Sequence, residues 1–277
     1  MASKQTPKRL AESASPEWIK LGIPGFNDLI EKGIPRGSNI LVSGGPGTGK
    51  TIFCLQSLYH ASREGHDCLY ITFEERPERL WRHMERFGWR VREVEERKDG
   101  LLLKVGDAGK GGSILIRMLD PFSITRAVEG LVEKAAGRIS IELKGIPDLI
   151  PTGMSPYLIA IDSLSALESA FIHKPEGYRI YVEQIFRAFE RAGATTFLIT
   201  ETEEAPLRYS RSGIEEFLAD GVIVLYNSKV RGQRVQGIEI LKMRGARHER
   251  RIVPVQITPE GMKVFPSETV YGTDESK

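Results

Sequence analysis

Short apolar runs recur along the chain, and segments with helical spacing follow most of them. Continuous runs of this length are typical of parallel strands that are buried on both faces of a sheet. The alternation therefore predicts an α/β fold with a mainly parallel sheet flanked by helices. Strands are expected at 40–42, 68–73, 101–105, 157–162, 195–200 and 222–226, and helices at 50–63, 77–87, 124–135, 176–192 and 214–218.

The two ends of the chain depart from this pattern. Residues 1–15 are polar, mixed in charge and without periodicity, which predicts a flexible tail. Antiparallel edge strands are expected at 237–243, 251–257 and 262–265. We expect one domain over residues 16–265 and a disordered tail over 266–277.

Glycines and capping residues predict the helix ends and the loops. Gly65 and Gly88 are expected just after two helices, and Ser123 is expected to cap the helix that follows it. A glycine-rich loop is expected at 106–113, and a loop or small insertion at 138–156. The chain is also expected to turn through residues 227–234.

The run at 40–42 leads directly into Gly-Gly-Pro-Gly-Thr-Gly-Lys-Thr at 44–51, and helical spacing follows. Strand, GxxxxGK[ST] and helix in this order form the context of a phosphate-binding loop, or P-loop. Glycines let backbone N–H groups surround a phosphate, and a helix N-terminus favours an anion. The residues expected to contact the nucleotide are Gly44, Gly45, Gly47, Thr48, Gly49, Lys50, Thr51 and Ile52. A glycine-rich turn that binds nothing is the alternative, and the strand and helix in register argue against it.

Composition does not by itself point to nucleic acid or to a membrane. The formal net charge is only +2, and no apolar run approaches the ~20 residues of a membrane-spanning helix. The first residues lack the apolar core of a secretory signal. Cys54 and Cys68 have no metal-ligand spacing and are interpreted as small buried hydrophobic residues. A cytoplasmic location is expected.

Two acidic sites follow predicted strands. Asp162 ends an apolar run, where a carboxylate could accept a hydrogen bond from a Mg²⁺-bound water while Thr51 ligates the metal. Glu74 and Glu75 follow the first strand after the P-loop helix, and one of them could orient or deprotonate an attacking water. Adjacent side chains on a strand point in opposite directions, which favours Glu74 with Glu75 in support. A capping acid and a solvated acidic turn are the respective alternatives.

Lys242 and Arg244 lie two residues apart at the end of a late strand, so they share one face of it. They could neutralise phosphate charge, as a sensor or as a finger that reaches into a neighbouring site. An edge strand kept soluble by cations is an equally good interpretation of these two residues alone.

Seven stretches agree in both order and spacing with one known family. They are GIPGF (22–26), GIPRG (33–37), SGGPGTGKT (43–51), TFEE (72–75), IDSL (161–164), GIEEFLAD (213–220) and LKMRG (241–245). Over residues 17–265 the chain resembles the KaiC family of RecA-type ATPases. The resemblance implies a RecA-like P-loop NTPase core in which ATP lies between neighbouring subunits of a hexameric ring.

The same resemblance implies roles for individual residues. Lys50, Thr51 and Asp162 would bind the triphosphate and Mg²⁺, and Glu74 with Glu75 would form the catalytic pair. Four residues would act at the interface between subunits. These are Lys242 and Arg244, which would reach the γ-phosphate bound by the adjacent subunit, and Arg86 and His248, which fall where the family contacts nucleotide.

The chain also departs from the circadian clock member of the family. That protein carries two such domains in tandem and autophosphorylates in the second, whereas one domain is predicted here. Nothing in the sequence identifies a phosphoacceptor, so neither clock function nor autokinase activity carries over. The segment at 106–156 is longer than is typical of the family.

The preferred function is a slow, Mg²⁺-dependent ATPase ring that acts as a regulator or signalling protein with unknown protein partners. The alternative is a recombinase paralogue or DNA-repair ATPase that binds single-stranded DNA. Arg208, Tyr209 and Arg211 would serve that role, but the nearby glutamates offset their charge. A scaffold that binds ATP without turnover is a third possibility, and Glu74 with Glu75 argues against it.

Overall fold

The structure is a computed structural model that describes residues 18–106, 111–126, 128, 149–171, 175–203, 208–230 and 232–269. The strands before the first gap are β1 (Trp18–Ile19), β2 (Ile34–Pro35), β3 (Asn39–Gly44), β4 (Cys68–Thr72), β5 (Val91–Arg97) and β6 (Gly100–Val105). Those after it are β7 (Ser113–Met118), β8 (Leu158–Asp162), β9 (Thr195–Glu201), β10 (Gly221–Val230), β11 (Gln233–Met243), β12 (Val253–Thr258) and β13 (Gly261–Val264).

The helices are α1 (Lys50–Arg63), α2 (Pro77–Arg86), α3 (Leu164–Ala170), α4 (Pro175–Ala192) and α5 (Glu215–Leu218). A 3₁₀ turn occupies Phe26–Leu29, and residues 121–126 are helical. None of the helices in the described ranges is both long enough and apolar enough to cross a bilayer.

Eleven strands form one sheet in the order β13-β12-β11-β10-β3-β9-β8-β4-β7-β6-β5. The strands from β10 to β7 in this order are parallel to one another. Antiparallel strands extend the sheet on both sides. The predicted α/β fold, with a mainly parallel centre and antiparallel C-terminal strands, is confirmed.

The antiparallel extension through β5 and β7 was not predicted. Most residues of β5 are charged and exposed, so their pattern carries no signal of a buried face. Its pairing with β6 makes this segment a strand, and that pairing cannot be read from the residues of β5 alone. The loop expected to reach residue 113 is shorter than predicted, because β7 begins there and pairs with β4.

Helix ends agree with the prediction in two places and differ in a third. Gly65 and Gly88 follow α1 and α2 with φ of 98° and 69°, the left-handed conformation expected there. Ser123 does not cap its helix, since the helical residues begin at Pro121 and the Asp120 carboxylate accepts from the backbone N–H groups of residues 122 and 123. Proline suits the first position of a helix, which moves the start two residues earlier.

The expected turn at 227–234 is shorter than predicted. Strands β10 and β11 continue as an antiparallel hairpin, in which Asn227 pairs with Gln236 and Val230 with Gln233. Five other predictions lie wholly or partly outside the described residues: the tails at 1–15 and 270–277, the loop at 107–110, the end of the helix at 129–135 and the loop at 138–148.

Each central strand is buried on both faces. In β3, Ile40 and Val42 pack in the cluster that contains α1, whereas Leu41 packs in the cluster that contains α4. This two-sided burial explains the continuous apolar runs in the sequence. The parallel strands also end together, because Gly44 pairs with Glu201 and Thr72 with Asp162. One edge of the sheet therefore collects the P-loop and the strand-terminal acids.

Candidate nucleotide-binding site

The loop between β3 and α1 has the backbone shape that a phosphate requires. Gly47 and Gly49 adopt φ of 74° and 95°, which side-chain-bearing residues rarely adopt. At Gly44 a Cβ atom would lie 2.4 Å from the Leu225 carbonyl oxygen. Gly49 is the N-cap of α1, and no side chain of the described residues caps the helix there. The first amides of α1 are therefore available to an anion.

Lys50 lies inside this loop with only 9% of its surface exposed. Its Nζ donates to the carbonyl oxygens of Gly44 at 2.7 Å and of Gly45 at 2.9 Å. Burial lowers the pKa of Lys50, and the negative charges of Glu201, Asp162 and Glu74 oppose that change. The ammonium is thus held at the loop by acceptors that phosphate oxygens could replace.

Thr51 and Asp162 meet as the sequence predicted. The Thr51 hydroxyl donates to Asp162 Oδ2 at 2.9 Å, and the Tyr70 hydroxyl donates to the same oxygen at 2.6 Å. Burial raises the pKa of Asp162, while these two hydrogen bonds act in the opposite direction.

A hydroxyl and a carboxylate are hard oxygen ligands that suit Mg²⁺. In the part of the chain that the structure describes, no three or more His, Cys, Asp or Glu residues cluster as a metal site. A magnesium ion at Thr51 and Asp162 would therefore take its remaining ligands from phosphate and water, as Mg²⁺ commonly does.

The two adjacent glutamates face different surroundings. Glu74 keeps much of its surface exposed to solvent, and the Ser163 hydroxyl lies 3.5 Å from its Oε2 atom. Partial desolvation of the carboxylate raises the pKa of Glu74, and the negative charges of Asp162 and Glu201 add to the effect. Glu75 instead pairs with Arg79 on α2, with 2.7 Å between Arg79 Nε and Glu75 Oε1. Glu74 is thus the member of the pair that lies toward the P-loop edge.

Sequence reasoning missed two residues at this edge. Glu201 ends β9 beside Gly44, and its charge is the strongest of the charges that raise the pKa of Lys50. Its position at the end of an apolar strand was a usable signal. Tyr70 lies inside an apolar strand, where a tyrosine usually indicates core packing.

Lys242 and Arg244 lie toward the opposite end of the parallel strands. Lys242 pairs with Val222, which pairs with Leu41, about 10 Å of strand before the P-loop begins. Its Nζ donates to the carbonyl oxygen of Ala219 at 2.6 Å, and burial together with the charge of Arg244 lowers its pKa. Arg244 Nη1 lies 3.3 Å from Asp220 Oδ1. The structure does not bring these cations to the P-loop of their own chain.

Arg86 and His248 are also separate from the P-loop. Arg86 is the exposed last residue of α2, about 14 Å along the helix from Pro77. His248 pairs with Ile30, and its Nδ1 lies 2.9 Å from the Glu249 carbonyl oxygen. Nucleotide contacts by these two residues, on either side of a subunit interface, remain predictions.

Comparison with known proteins agrees with this geometry. The family model described as "ATPase: KaiC" matches residues 19–269. A UPF0273 protein of Aeropyrum pernix is 33% identical over 257 residues, which cover 91% of this chain and 95% of that protein. The circadian clock oscillator protein KaiC of Prochlorococcus marinus is 30% identical over 255 residues, or 90% of this chain and 46% of that protein.

A solved structure is similar as well. The KaiC-like protein PH0186 of Pyrococcus horikoshii superimposes with a TM-score of 0.66 at 30% identity, covering 91% of this chain and all of that one. The match therefore extends through the P-loop, the strand-terminal acids and the late cationic strand. The chain belongs to the KaiC family of RecA-type ATPases.

Proposed function

We propose that this protein binds ATP with Mg²⁺ and hydrolyses it slowly as a subunit of a ring, in a regulatory or signalling role. The observation that carries the proposal is the contact between Thr51 and Asp162 beside a glycine loop that holds Lys50. Withdrawal of an ionised carboxylate from water is costly, so an acid held at the first turn of a P-loop helix favours a ligand-binding purpose.

The P-loop residues would divide the binding of the triphosphate among them. The backbone N–H groups between Gly45 and Ile52, other than at Pro46, would surround the phosphates, and Lys50 would exchange its carbonyl partners for β- and γ-phosphate oxygens. Thr51 and Asp162 would hold Mg²⁺, directly and partly through water. The bound ion would offset the charge that develops on the phosphate oxygens.

Glu74 is the residue proposed to act on the attacking water. Its raised pKa makes its carboxylate a stronger base than an ordinary glutamate, which suits the orientation or deprotonation of water. Glu75 would act indirectly, because its pairing with Arg79 fixes the start of α2 beside Glu74.

A ring would give Lys242 and Arg244 a phosphate to contact. These cations lie away from the P-loop of their own chain, so a head-to-tail neighbour could bring them to the next P-loop. Phe217 and Leu241 beside them are 72% and 41% exposed, which favours a protein contact on this surface. A hexamer is the ring size proposed from the family resemblance.

Steady-state ATP hydrolysis by the purified protein tests the proposal, with and without Mg²⁺ and single-stranded DNA. We expect Mg²⁺-dependent hydrolysis that Glu74→Gln removes and DNA leaves unchanged. Strong, salt-sensitive stimulation by DNA would instead favour a recombinase paralogue or DNA-repair ATPase. Arg208 and Arg211 would provide the cations for DNA binding. Nucleotide binding without turnover would indicate a scaffold.

A further inference from the structure

Tyr70 lies at the centre of β4 and is fully buried between the sheet and α1. Its neighbour on β8 is Ala160, and Asp162 lies two residues further along the same face. Two residues of strand span about 6.6 Å, which a tyrosine side chain can cover. The small side chain of Ala160 leaves room for the ring, and the hydroxyl reaches Asp162 Oδ2 at 2.6 Å.

Two donors from different elements converge on one carboxylate oxygen. Tyr70 approaches Oδ2 from β4, and Thr51 approaches it from α1 at 2.9 Å. Among the described residues both of these hydrogen bonds go to Oδ2, so Oδ1 is left for a metal-bound water. A carboxylate held by donors on two sides has little rotational freedom.

We propose that Tyr70 is a positioning residue for the metal-binding carboxylate of Asp162. It fixes the orientation in which Asp162 meets the hydration shell of Mg²⁺, and it does so without touching the nucleotide. The inference rests on the proposed Mg²⁺–ATP site and adds to that site a residue outside the P-loop motif.

A tyrosine that merely satisfies its own buried hydroxyl would have different consequences. Buried hydroxyls need acceptors, so Tyr70 could in principle use Asp162 only as a partner for folding. In that case removal of the hydroxyl would lower stability and leave Mg²⁺ binding unchanged. A positioning role requires a change in the Mg²⁺ dependence of nucleotide binding.

The chain provides a matched control for this distinction. Tyr178 is 2% exposed, and its hydroxyl donates to the carboxylate of Glu215. This second pair belongs to the cluster on the other face of the sheet. Tyr178→Phe therefore removes the same kind of hydrogen bond from a site that holds no proposed metal ligand.

The test measures binding of a non-hydrolysable ATP analogue by titration calorimetry at a series of Mg²⁺ concentrations. For Tyr70→Phe we expect the Mg²⁺ concentration at half-maximal tightening to rise about 10-fold, the lower end of what lost outer-shell partners typically cost. Analogue affinity in EDTA should stay the same, which also verifies that the variant is folded. Tyr178→Phe should keep the Mg²⁺ dependence of the unaltered protein.

A double-mutant cycle with Asp162→Asn shows whether Tyr70 acts through that carboxylate. Tyr70→Phe should cause no further change in Mg²⁺ dependence once Asp162 is replaced, whereas additive effects would overturn the positioning role. An unchanged Mg²⁺ dependence in the Tyr70→Phe single variant would overturn this inference alone. Failure of the unaltered protein to bind the analogue in a Mg²⁺-dependent manner would overturn the proposed function as well.

Discussion

The two ends of the parallel strands hold their polar side chains in different ways. At the C-terminal end, Lys50 is buried and Asp162 is partly buried, and their hydrogen bonds are made within the chain. At the other end, Lys242 donates to the backbone carbonyls of Glu216 in α5 and of Ala219 after it, and the side chain of Arg244 is 58% exposed. The first group forms a site within one chain, whereas the second presents cations toward the surface.

This difference indicates how the work of the site is divided. Buried charges persist only where partners compensate for lost hydration, so the C-terminal group is organised before any ligand arrives. Exposed cations need no such organisation and become useful when a partner brings an anion to them. Variants at the first end should therefore fail in every subunit that carries them. Variants at the second end should impair the neighbour instead.

Lys50→Ala tests the C-terminal end of the strands by itself. It is expected to have the largest effect, because it acts on ATP binding, on which every later step depends. Charged hydrogen bonds contribute about 1.5–3 kcal/mol each, so loss of two phosphate contacts should weaken ATP binding by more than about 100-fold. Fluorescence titration with a labelled nucleotide measures this change. The exposed Lys263→Ala on β13 is the matched control and should bind normally. Unchanged affinity in Lys50→Ala would remove the P-loop from the proposed mechanism.

Arg244→Ala tests the opposite end. If Arg244 acts as a finger on the neighbouring nucleotide, its loss should lower the hydrolysis rate by about 10³-fold, the lower range for such residues. The melting temperature should change little, because among the described residues the Arg244 guanidinium bonds to Asp220 and to the Phe217 carbonyl, both at the surface. Steady-state kinetics and thermal unfolding measure the two quantities. A normal rate would contradict a role for this cation.

A mixture of Arg244→Ala and Glu74→Gln subunits separates action in trans from action in cis. Each variant is inactive alone, yet a mixed ring contains interfaces that combine an intact Glu74 with an intact Arg244. Random assembly of equal amounts makes such interfaces about one quarter of the total, so about a quarter of the unaltered rate should return. If the mixture recovers no activity although the subunits exchange, Arg244 does not act across the interface.

The sequence predicted the C-terminal end of the sheet better than the remainder. The P-loop and Asp162 have signals within a few residues of themselves, namely an apolar strand followed by glycines or an acid. The bounds of α1 agree with the prediction for the same reason. Strand β5 lacks such a signal, because its pairing partner, rather than its own pattern, defines it.

Contacts between segments that are distant in the sequence explain which residues of the site were not predicted. Tyr70 and Asp162 are far apart in the chain, and only the pairing of β4 with β8 brings the hydroxyl to the carboxylate. Glu201 reaches Lys50 through the pairing of β9 with β3. The sequence also left Glu74 and Glu75 almost equivalent, and the ion pair between Glu75 and Arg79 distinguishes them.

Glu74→Gln and Glu75→Gln compare the roles of the two adjacent acids at the C-terminal end of the strands. Removal of a general base typically lowers a rate by about 10²–10⁴-fold, so we expect that loss for Glu74→Gln with nucleotide affinity retained. Glu75→Gln disturbs the pairing with Arg79 and the contact with His83, and should lower the rate by less than about 10-fold. Single-turnover hydrolysis with saturating nucleotide measures both. Equal losses would show that the two acids act as one unit.

Glu201→Gln should have the smallest effect, visible as a shift in the pH dependence of kcat/KM. The charge of Glu201 raises the pKa of both Glu74 and Lys50, so its removal should lower the pKa of each. Glu74 then stays ionised to a lower pH, and Lys50 loses its proton at a lower pH. Both limbs of the profile should therefore move toward acid. Glu203→Gln is the matched control, because Glu203 is exposed and lies two residues further along the chain, beyond the end of β9. A profile that moves in that control but not in Glu201→Gln would contradict the coupling of charges across the C-terminal ends of the strands.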